Sequence, residues 1–600
     1  MRDKLHVFIE VISKILTILS KEQKRKSVGA FVALSITSLL ELVGVTIIVP
    51  FMTAVMNPEK MLHNKYVLWA MERLHITHVD SDKLLLVLGV TIIVVYIIKN
   101  IALIWSRYIQ SVYQVNLQKE ISVMMMESYL NHPYEYFVNT NSAQILRGID
   151  ADVSGFSEVL KILFTCFAEF LTILLIMGFV LTADFVTSIG LMIIALFCIL
   201  VTVFGTKNIM TRTGIKYRET VAKRYQCACQ TVNGIKEIFV MQKRRFFLKT
   251  YEKEYKEYVK IMKIYQLVTS LPERLIEIMI VGGIVVIVCV RIMLGYAAAE
   301  YVPQLAALAL ACFRLLPSLN KIADGASQLI YNKPCLDAVY ANIDEARKFV
   351  CENGDTERII SDERTEHLSF DEEIAIEGIT WRYLNGDRNI LEQVSLKIKK
   401  GESIAVIGES GAGKSTLADI IMGLLRPQCG QVLVDGKPIE RNYFEWAQMI
   451  GYVPQSVYLI DDTIRNNVAF GIPQEEIDDK EVWHALKQAK MDEYISKLPQ
   501  GLDTVVGERG IKFSGGQRQR IAIARAMYYD PEIFVLDEAT SALDNETEEA
   551  VMESIDWLHG RKTLIIIAHR LSTIQKCDKV YEVVDGKIVE NRKKITNGQQ

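Results

Sequence analysis

Apolar and polar positions divide this chain into two unlike halves. Near residues 28–54, 84–105, 159–182, 185–206, 271–293 and 302–319 apolar side chains follow one another with few breaks. A helix needs roughly 20 such residues to cross a hydrocarbon core, so six transmembrane helices are predicted. The third and fourth are joined by a short turn at Thr182, Ala183 and Asp184. Arg314 and Pro317 interrupt the sixth, for which an interfacial hairpin is the alternative. Ahead of the first span, Leu5, Phe8, Ile12, Ile15, Leu16 and Leu19 recur at helical spacing between Lys4, Glu10 and Lys14. This predicts an amphipathic interfacial helix over residues 1–26 that closes on the basic stretch 21–26. No small-residue cleavage site follows it, so it is expected to be retained.

The stretches 106–158 and 207–270 are long and helical in pattern, and read as spans continuing into the aqueous phase. Each contains a break, at Asn131-His132-Pro133-Tyr134 and at Asn233-Gly234. A short transverse helix at each break is expected to carry motion to the second half of the chain; ordinary surface turns are the alternative. Between the first two spans, Tyr66, Val67, Leu68, Met71 and Leu74 in segment 57–80 suggest a short helix on the outer membrane surface, or else a loose loop. The membrane region is thus 27–334. An acidic linker, 335–372, follows, with Asp344, Glu345, Glu352, Asp355, Glu357, Asp362 and Glu363. From 373 to 592 the pattern becomes that of a soluble α/β domain, and 593–600 is a polar tail.

Composition supports this division. Of 600 residues, 50% are hydrophobic, and mean hydropathy is +0.19. A net charge of -3 offers no bulk attraction to nucleic acid. The ten cysteines are scattered, and the closest pair, Cys227 and Cys229, lacks a metal-ligand spacing. They read as reduced packing or surface residues. Charges inside the spans, Glu41, Lys99, Glu169, Glu277 and Arg314, are costly there and mark a bundle interior or cavity.

The chemistry lies in the second half. Ser403–Ile407 reads as a buried strand, and Gly408, Glu409, Ser410, Gly411, Ala412, Gly413, Lys414, Ser415 and Thr416 form a phosphate-binding loop after it. Its glycines let backbone N–H groups turn inward around the β- and γ-phosphates, and the following helix adds its positive end. Lys414 would reach the phosphates and Ser415 would coordinate Mg²⁺. A second buried strand ends in Asp537, placed to hold Mg²⁺, and Glu538 next to it would polarise the attacking water. ATP and Mg²⁺ are therefore the expected ligands. ATP is cytosolic, and the fifteen Lys and Arg of 207–263 put that region on the same side by the positive-inside rule. An even number of spans meets both conditions.

These elements, in this order, resemble the nucleotide-binding domain of ABC transporters. The resemblance assigns Tyr383 to stacking on adenine and Gln455 to Mg²⁺ and the transport domain. It assigns Ser514, Gly515, Gly516 and Gln517 to the signature that binds ATP held by the other subunit. Ser541 and Asp544 fall in the loop crossing the dimer interface, and His569 is the switch histidine that senses the γ-phosphate. Segment 504–510 resembles the one typical of exporters, and Phe513 stands where leucine is commoner. The implied architecture is an all-α six-helix transmembrane domain of exporter type followed by an α/β P-loop ATPase. It implies a half-transporter that dimerises, as a homodimer or alternatively a heterodimer, in a bacterial inner membrane.

Within the exporters, Leu39–Val45 with Val49-Pro50-Phe51, the stretch from Leu271 to Glu277, and the stretch from Arg314 to Asn320 are similar to PglK-type flippases of lipid-linked oligosaccharides. That resemblance implies that Arg314 and Arg274 attract the pyrophosphate of a polyprenyl-linked sugar; Glu273 is a departure from its pattern. A guanidinium suits phosphate oxygens. For Arg314 the alternative is a salt bridge between helices, with Glu41 as partner. Export of peptides, drugs or other lipids is the rival substrate class. An ATP-gated channel or membrane sensor is the rival of another kind, and the six spans exclude a soluble ATPase acting on nucleic acid.

Overall fold

The computed structural model describes residues 2–47, 51, 55, 81–183, 185–293, 298–353, 368–383, 386, 388–538, 552, 553, 555–568 and 574–591; of 298–314 it describes the helical backbone alone. The chain forms two compact units, Met1–His132 with Phe137–Lys348, and Phe349–Gln600 with Pro133–Tyr136. The expected external helix of 57–80 lies outside the described residues.

The first unit is helical. A helix occupies each of the six expected positions: α2 (Lys21–Thr46), α3 (Ser81–Leu130), α6 (Val153–Ala183), α7 (Phe185–Asn233), α9 (Arg244–Met293) and α10 (Ala298–Asn353). Among the described residues, four stretches are long and apolar enough to cross a membrane: Lys21–Gly44, Leu85–Leu130, Ser142–Phe179 and Met192–Asn233. Helices α3, α7, α9 and α10 contain 50, 49, 50 and 56 residues. At 1.5 Å per residue each is over twice the ~30 Å of a hydrocarbon core, so each continues well beyond it. Both breaks produce short helices, α4 (Tyr134–Asn139) after Pro133 and α8 (Ile235–Val240) after Gly234. Another short helix, α5 (Ser142–Arg147), leads through a π turn at Gly148–Asp152 into α6.

Ile176, Met177, Cys198, Ile276, Ile280, Leu315, Leu319 and Ala323 form one apolar core of the bundle. Charges are paired across helices. Lys99 donates to Glu41 at 2.8 Å, with side chains 3% and 20% exposed. Glu41 thus accepts a bond from Lys99; the alternative Glu41–Arg314 pairing lies outside the described residues, with the Arg314 side chain. Beyond the membrane, Asp152 is buried and takes bonds from Arg218 Nε at 2.9 Å and Arg147 Nε at 3.3 Å, tying α5, the π turn and α7 together. Asp152→Ala is expected to destabilise the unit by an amount near the lower end of ~3–5 kcal/mol, because two guanidiniums lose their counter-ion while Arg218 keeps some water. A thermal scan of purified protein checks this, and an unchanged midpoint would remove Asp152 from that role.

Two expectations change. The N-terminal helix forms as α1 (Arg2–Ile18), but it is docked on protein as well as amphipathic. Val11, Ile15, Ile18 and Leu19 are buried, while Ile9, Ile12 and Leu16 stay exposed. Lys14 bonds Asp337 of α10 at 2.8 Å, and Arg347 reaches the Thr17 carbonyl. The stretch read as linker from 335 is, through Asn353, a continuation of α10. Leu336, Val339, Ile343 and Ala346 recur every three or four residues and are buried, whereas the acids between them face water and pair locally, as Asp344 does with Lys348.

The second unit holds two sheets. Strands β1 (Glu373–Trp381), β2 (Leu391–Lys399), β4 (Cys429–Val434) and β5 (Lys437–Pro438) form an antiparallel sheet in the order β2-β1-β4-β5. The other sheet runs β10-β9-β3-β8-β7-β6, from Lys587–Glu590, Lys579–Val584, Ser403–Gly408, Thr563–Ile567, Ile533–Asp537 and Ile450–Val453. All its pairs are parallel except β9 with β10. Its central strands are buried on both faces, which is why they read as continuous apolar runs. Ala405, Ile407, Phe534, Leu536, Leu564 and Ile566 face one core. Ile404, Val406, Ile533, Val535, Ile565 and Ile567 face the other, at the period of two that a strand imposes.

Candidate nucleotide site

Parallel strands present their carboxyl ends together, and ligands of open α/β sheets bind there. β3 ends in Gly408, and the loop after it turns into α11 (Lys414–Ile421). Gly413 caps that helix at φ +103°, and a Cβ there would lie 3.1 Å from Ile390 and Leu391 side-chain atoms, so both backbone and space call for glycine. Lys414 is buried, and its ammonium donates to the carbonyls of Gly408 at 3.0 Å and Glu409 at 2.9 Å. Its charge is thus centred inside the loop, where phosphate oxygens can replace those carbonyls.

β7 brings Asp537 to the same end of the sheet. Ser415 Oγ donates to Asp537 Oδ1 at 3.5 Å. A hydroxyl and a carboxylate oxygen side by side are the hard donors that Mg²⁺ prefers, leaving its other positions to water and phosphate. The donor set fits that ion. Glu538 follows at φ +47°, a left-handed conformation uncommon outside glycine, and its N–H donates to Ile567 of β8 at 3.1 Å. That turn aims its carboxylate away from the strand, and Gln455 Nε2 donates to Glu538 Oε2 at 2.5 Å. Gln455 follows β6, the neighbour of β7. The loop, Asp537, Glu538 and Gln455 therefore lie together at one end of the sheet.

Tyr383 packs edge-on against the fully buried Trp381, ring centroids 4.4 Å apart at 78°, and is 38% exposed. It offers an open aromatic surface backed by a fixed ring. Ser514 caps α12 (Gly515–Tyr528) in a reciprocal capping box with Gln517. Among the described residues no hydrogen bond joins Ser514–Gln517 to the phosphate loop, so these residues stand apart from it within one chain. Phe513, the departure from the family pattern, is buried against Tyr494 with ring centroids 6.3 Å apart. Ser541, Asp544 and His569 lie outside the described residues. Arg274 is 71% exposed and bonded to Glu277 at 3.3 Å, with Glu273 at 3.9 Å.

One site residue escaped the sequence reading. Asp419 lies one helical turn after Ser415 on the same face of α11. Burial, and then the charge of Asp537, push its carboxyl up to about 6. Its i,i+4 spacing from Ser415 was the available signal.

The geometry defines a P-loop ATP-binding domain in a chain that also has a unit of long membrane-type helices. Comparison with known proteins agrees. The family pattern of the ABC transporter transmembrane region matches residues 27–296, and the family pattern described as ABC transporter matches 391–541. The chain belongs to the ABC transporters and carries a transmembrane region followed by a region of the ABC transporter pattern. It is similar to the ATP-dependent lipid A-core flippase of Vibrio parahaemolyticus, 41% identical over 220 residues, covering 36% of this chain and 38% of that protein. Multidrug resistance protein 1 of Entamoeba histolytica is 38% identical over 286 residues, 46% of this chain and 20% of that one. The chain thus spans well under half the length of either relative. The heterocyst differentiation ATP-binding protein HepA of a Nostoc species is 29% identical over 488 residues, 80% of this chain and 76% of that one. The solved structure of a bacterial Atm1-family ABC exporter with ATP bound shares the fold, at TM-score 0.71 and 22% identity, over 94% of both chains.

Proposed function

We propose that two copies of this chain form an ATP-driven exporter in a bacterial inner membrane, flipping a lipid-linked glycan such as a polyprenyl-pyrophosphate-linked oligosaccharide. The convergence of Lys414, Ser415, Asp537, Glu538 and Gln455 at one end of a parallel sheet carries the ATPase part of this reading. In the proposed cycle Lys414 exchanges the carbonyls of Gly408 and Glu409 for phosphate oxygens, and Tyr383 stacks on adenine. Ser415, Asp537 and Gln455 would hold Mg²⁺, which neutralises phosphate charge when bound. The Gln455–Glu538 bond opens so that Glu538 can take a proton from the attacking water. Ser514, Gly515, Gly516 and Gln517 of the second copy close over the γ-phosphate, with Ser541 and Asp544 at the interface and His569 as sensor.

The lipid part draws on the names of relatives that flip lipid A-core and on the membrane-motif resemblance. Its charge recognition leans on Arg314, since Arg274 is engaged by Glu277. Arg314→Ala is expected to lower translocation several-fold while basal ATP hydrolysis falls less; equal translocation would remove the anion-recognition role. The test of the whole reading is ATP-dependent flipping of a fluorescent polyprenyl-pyrophosphate oligosaccharide by purified protein in proteoliposomes. Activity absent with Glu538→Gln and present with wild type supports it. Intact ATP hydrolysis without flipping would redirect the search to peptides, drugs and other lipids.

A further inference from the structure

We infer that the cytosolic end of α2 is a binding surface for the headgroups of anionic phospholipids, formed by Lys21, Lys24 and Arg25. The first observation is helical phase. Val28, Val32, Ile36, Leu39 and Val43 are all exposed apolar residues, 45–60% accessible, and follow one another at spacings of three or four. That row is the face of α2 turned to acyl chains. Extending it toward the N-terminus reaches Arg25, three residues before Val28, and Lys21, seven before it; Lys24 precedes Val28 by one turn. The face that meets lipid tails thus ends in cations.

The second observation is depth. Ser27 bonds Tyr113 at 2.6 Å, and Gln23 donates to Glu120 at 2.5 Å, so this end of α2 lies beside 113–120 of α3. Trp105 and Tyr108, both 66% exposed, precede Tyr113 by eight and five residues on α3, or roughly 12 and 8 Å nearer the hydrocarbon. Exposed Trp and Tyr favour the membrane interface. The aromatic pair is thus level with the cytosolic half of the apolar row, and the cations lie outward of both, on the aqueous side of the interface.

The third is charge. Lys26 is engaged by Glu22 at 2.8 Å, and Glu120 already accepts from Gln23. Lys21, Lys24 and Arg25 are exposed, and among the described residues none of them has an ion pair. The Ser20–Gln23 capping box fixes the first turn that presents them. Three ordered cations at phosphate depth, on a lipid-facing row, complement a phosphodiester.

The experiment uses the full-length protein in bilayers with spin-labelled phosphatidylglycerol or spin-labelled phosphatidylcholine. The motionally restricted fraction gives the relative association of each lipid. Wild type is expected to prefer phosphatidylglycerol, and Lys21→Gln/Lys24→Gln/Arg25→Gln to lower that preference several-fold, on the order of fivefold per effective cation. The charge-preserving Lys21→Arg/Lys24→Arg/Arg25→Lys is expected to keep it, which separates charge from folding. ATP turnover of the Gln variant in zwitterionic lipid should match wild type. Absence of any preference overturns the inference, as does a preference unchanged in the Gln variant. Displacement of the label by inorganic phosphate beyond that by chloride at equal ionic strength would also overturn it, by showing a site for free phosphate.

Discussion

Replacing Glu538 by Gln is expected to lower ATP turnover by at least ~10²-fold while leaving ATP binding intact. A positioned general base contributes about 10²–10⁴-fold, and the amide removes basicity with little change of shape. The fold should tolerate it. Glutamine can adopt the same φ near +47° at the cost already borne by glutamate, and its carbonyl oxygen can accept the Gln455 bond that Glu538 Oε2 accepts. The Lys414 and Ser415 contacts are untouched, so ATP should still raise the thermal midpoint. Hydrolysis that stops while ATP still binds leaves the closed dimer as the stable species. Purified variant and wild type, compared in a turnover assay and an ATP-dependent thermal scan, decide it. Wild-type-like hydrolysis would remove Glu538 from its assigned role, and loss of the ATP-induced shift would show a binding defect instead.

Local chemistry was legible and distant pairing was not. The phosphate loop, the strand ending in Asp537 and the capped turn at Ser514 are each a few consecutive residues whose types dictate their backbone, so order along the chain suffices to recognise them. The long helices were legible because bilayer thickness sets a length. Which helices touch depends on phase and tilt, which one sequence does not display. The bond from Lys99 to Glu41, two charges within different spans, was therefore not foreseen. Asp152 drew no notice, because its value comes from Arg218, 66 residues away. The docking of α1 rests in the same way on Lys14 and Asp337, 323 residues apart. The extension of α10 was hidden by composition: its acids suggested a linker, while Leu336, Val339, Ile343 and Ala346 kept the helical period beneath them.

Gly515→Asp is expected to abolish ATP hydrolysis, by at least ~10²-fold, without weakening the fold. Within one chain nothing demands glycine here. Its φ is not positive, and a Cβ would meet nothing within 4 Å. Aspartate in the first turn of α12 interacts favourably with the helix dipole, by about 0.3–1 kcal/mol, and glycine in a helix costs about as much. The thermal midpoint should hold or rise slightly. The loss would then arise from outside the chain, where the new carboxylate repels a γ-phosphate bound by the second copy. Mixed dimers sharpen the test with Lys414→Ala as the second change. With both substitutions on one chain, that chain spoils its own loop and its partner's signature contact, and both sites fail. With one substitution on each chain, both fall in the same composite site and the other site stays whole. Residual turnover only in the second arrangement would establish that the signature acts across the dimer. Residual turnover only in the first arrangement would mean that each chain hydrolyses ATP alone, and equal residual turnover in both, or normal turnover in the simple Gly515→Asp homodimer, would remove the signature from catalysis.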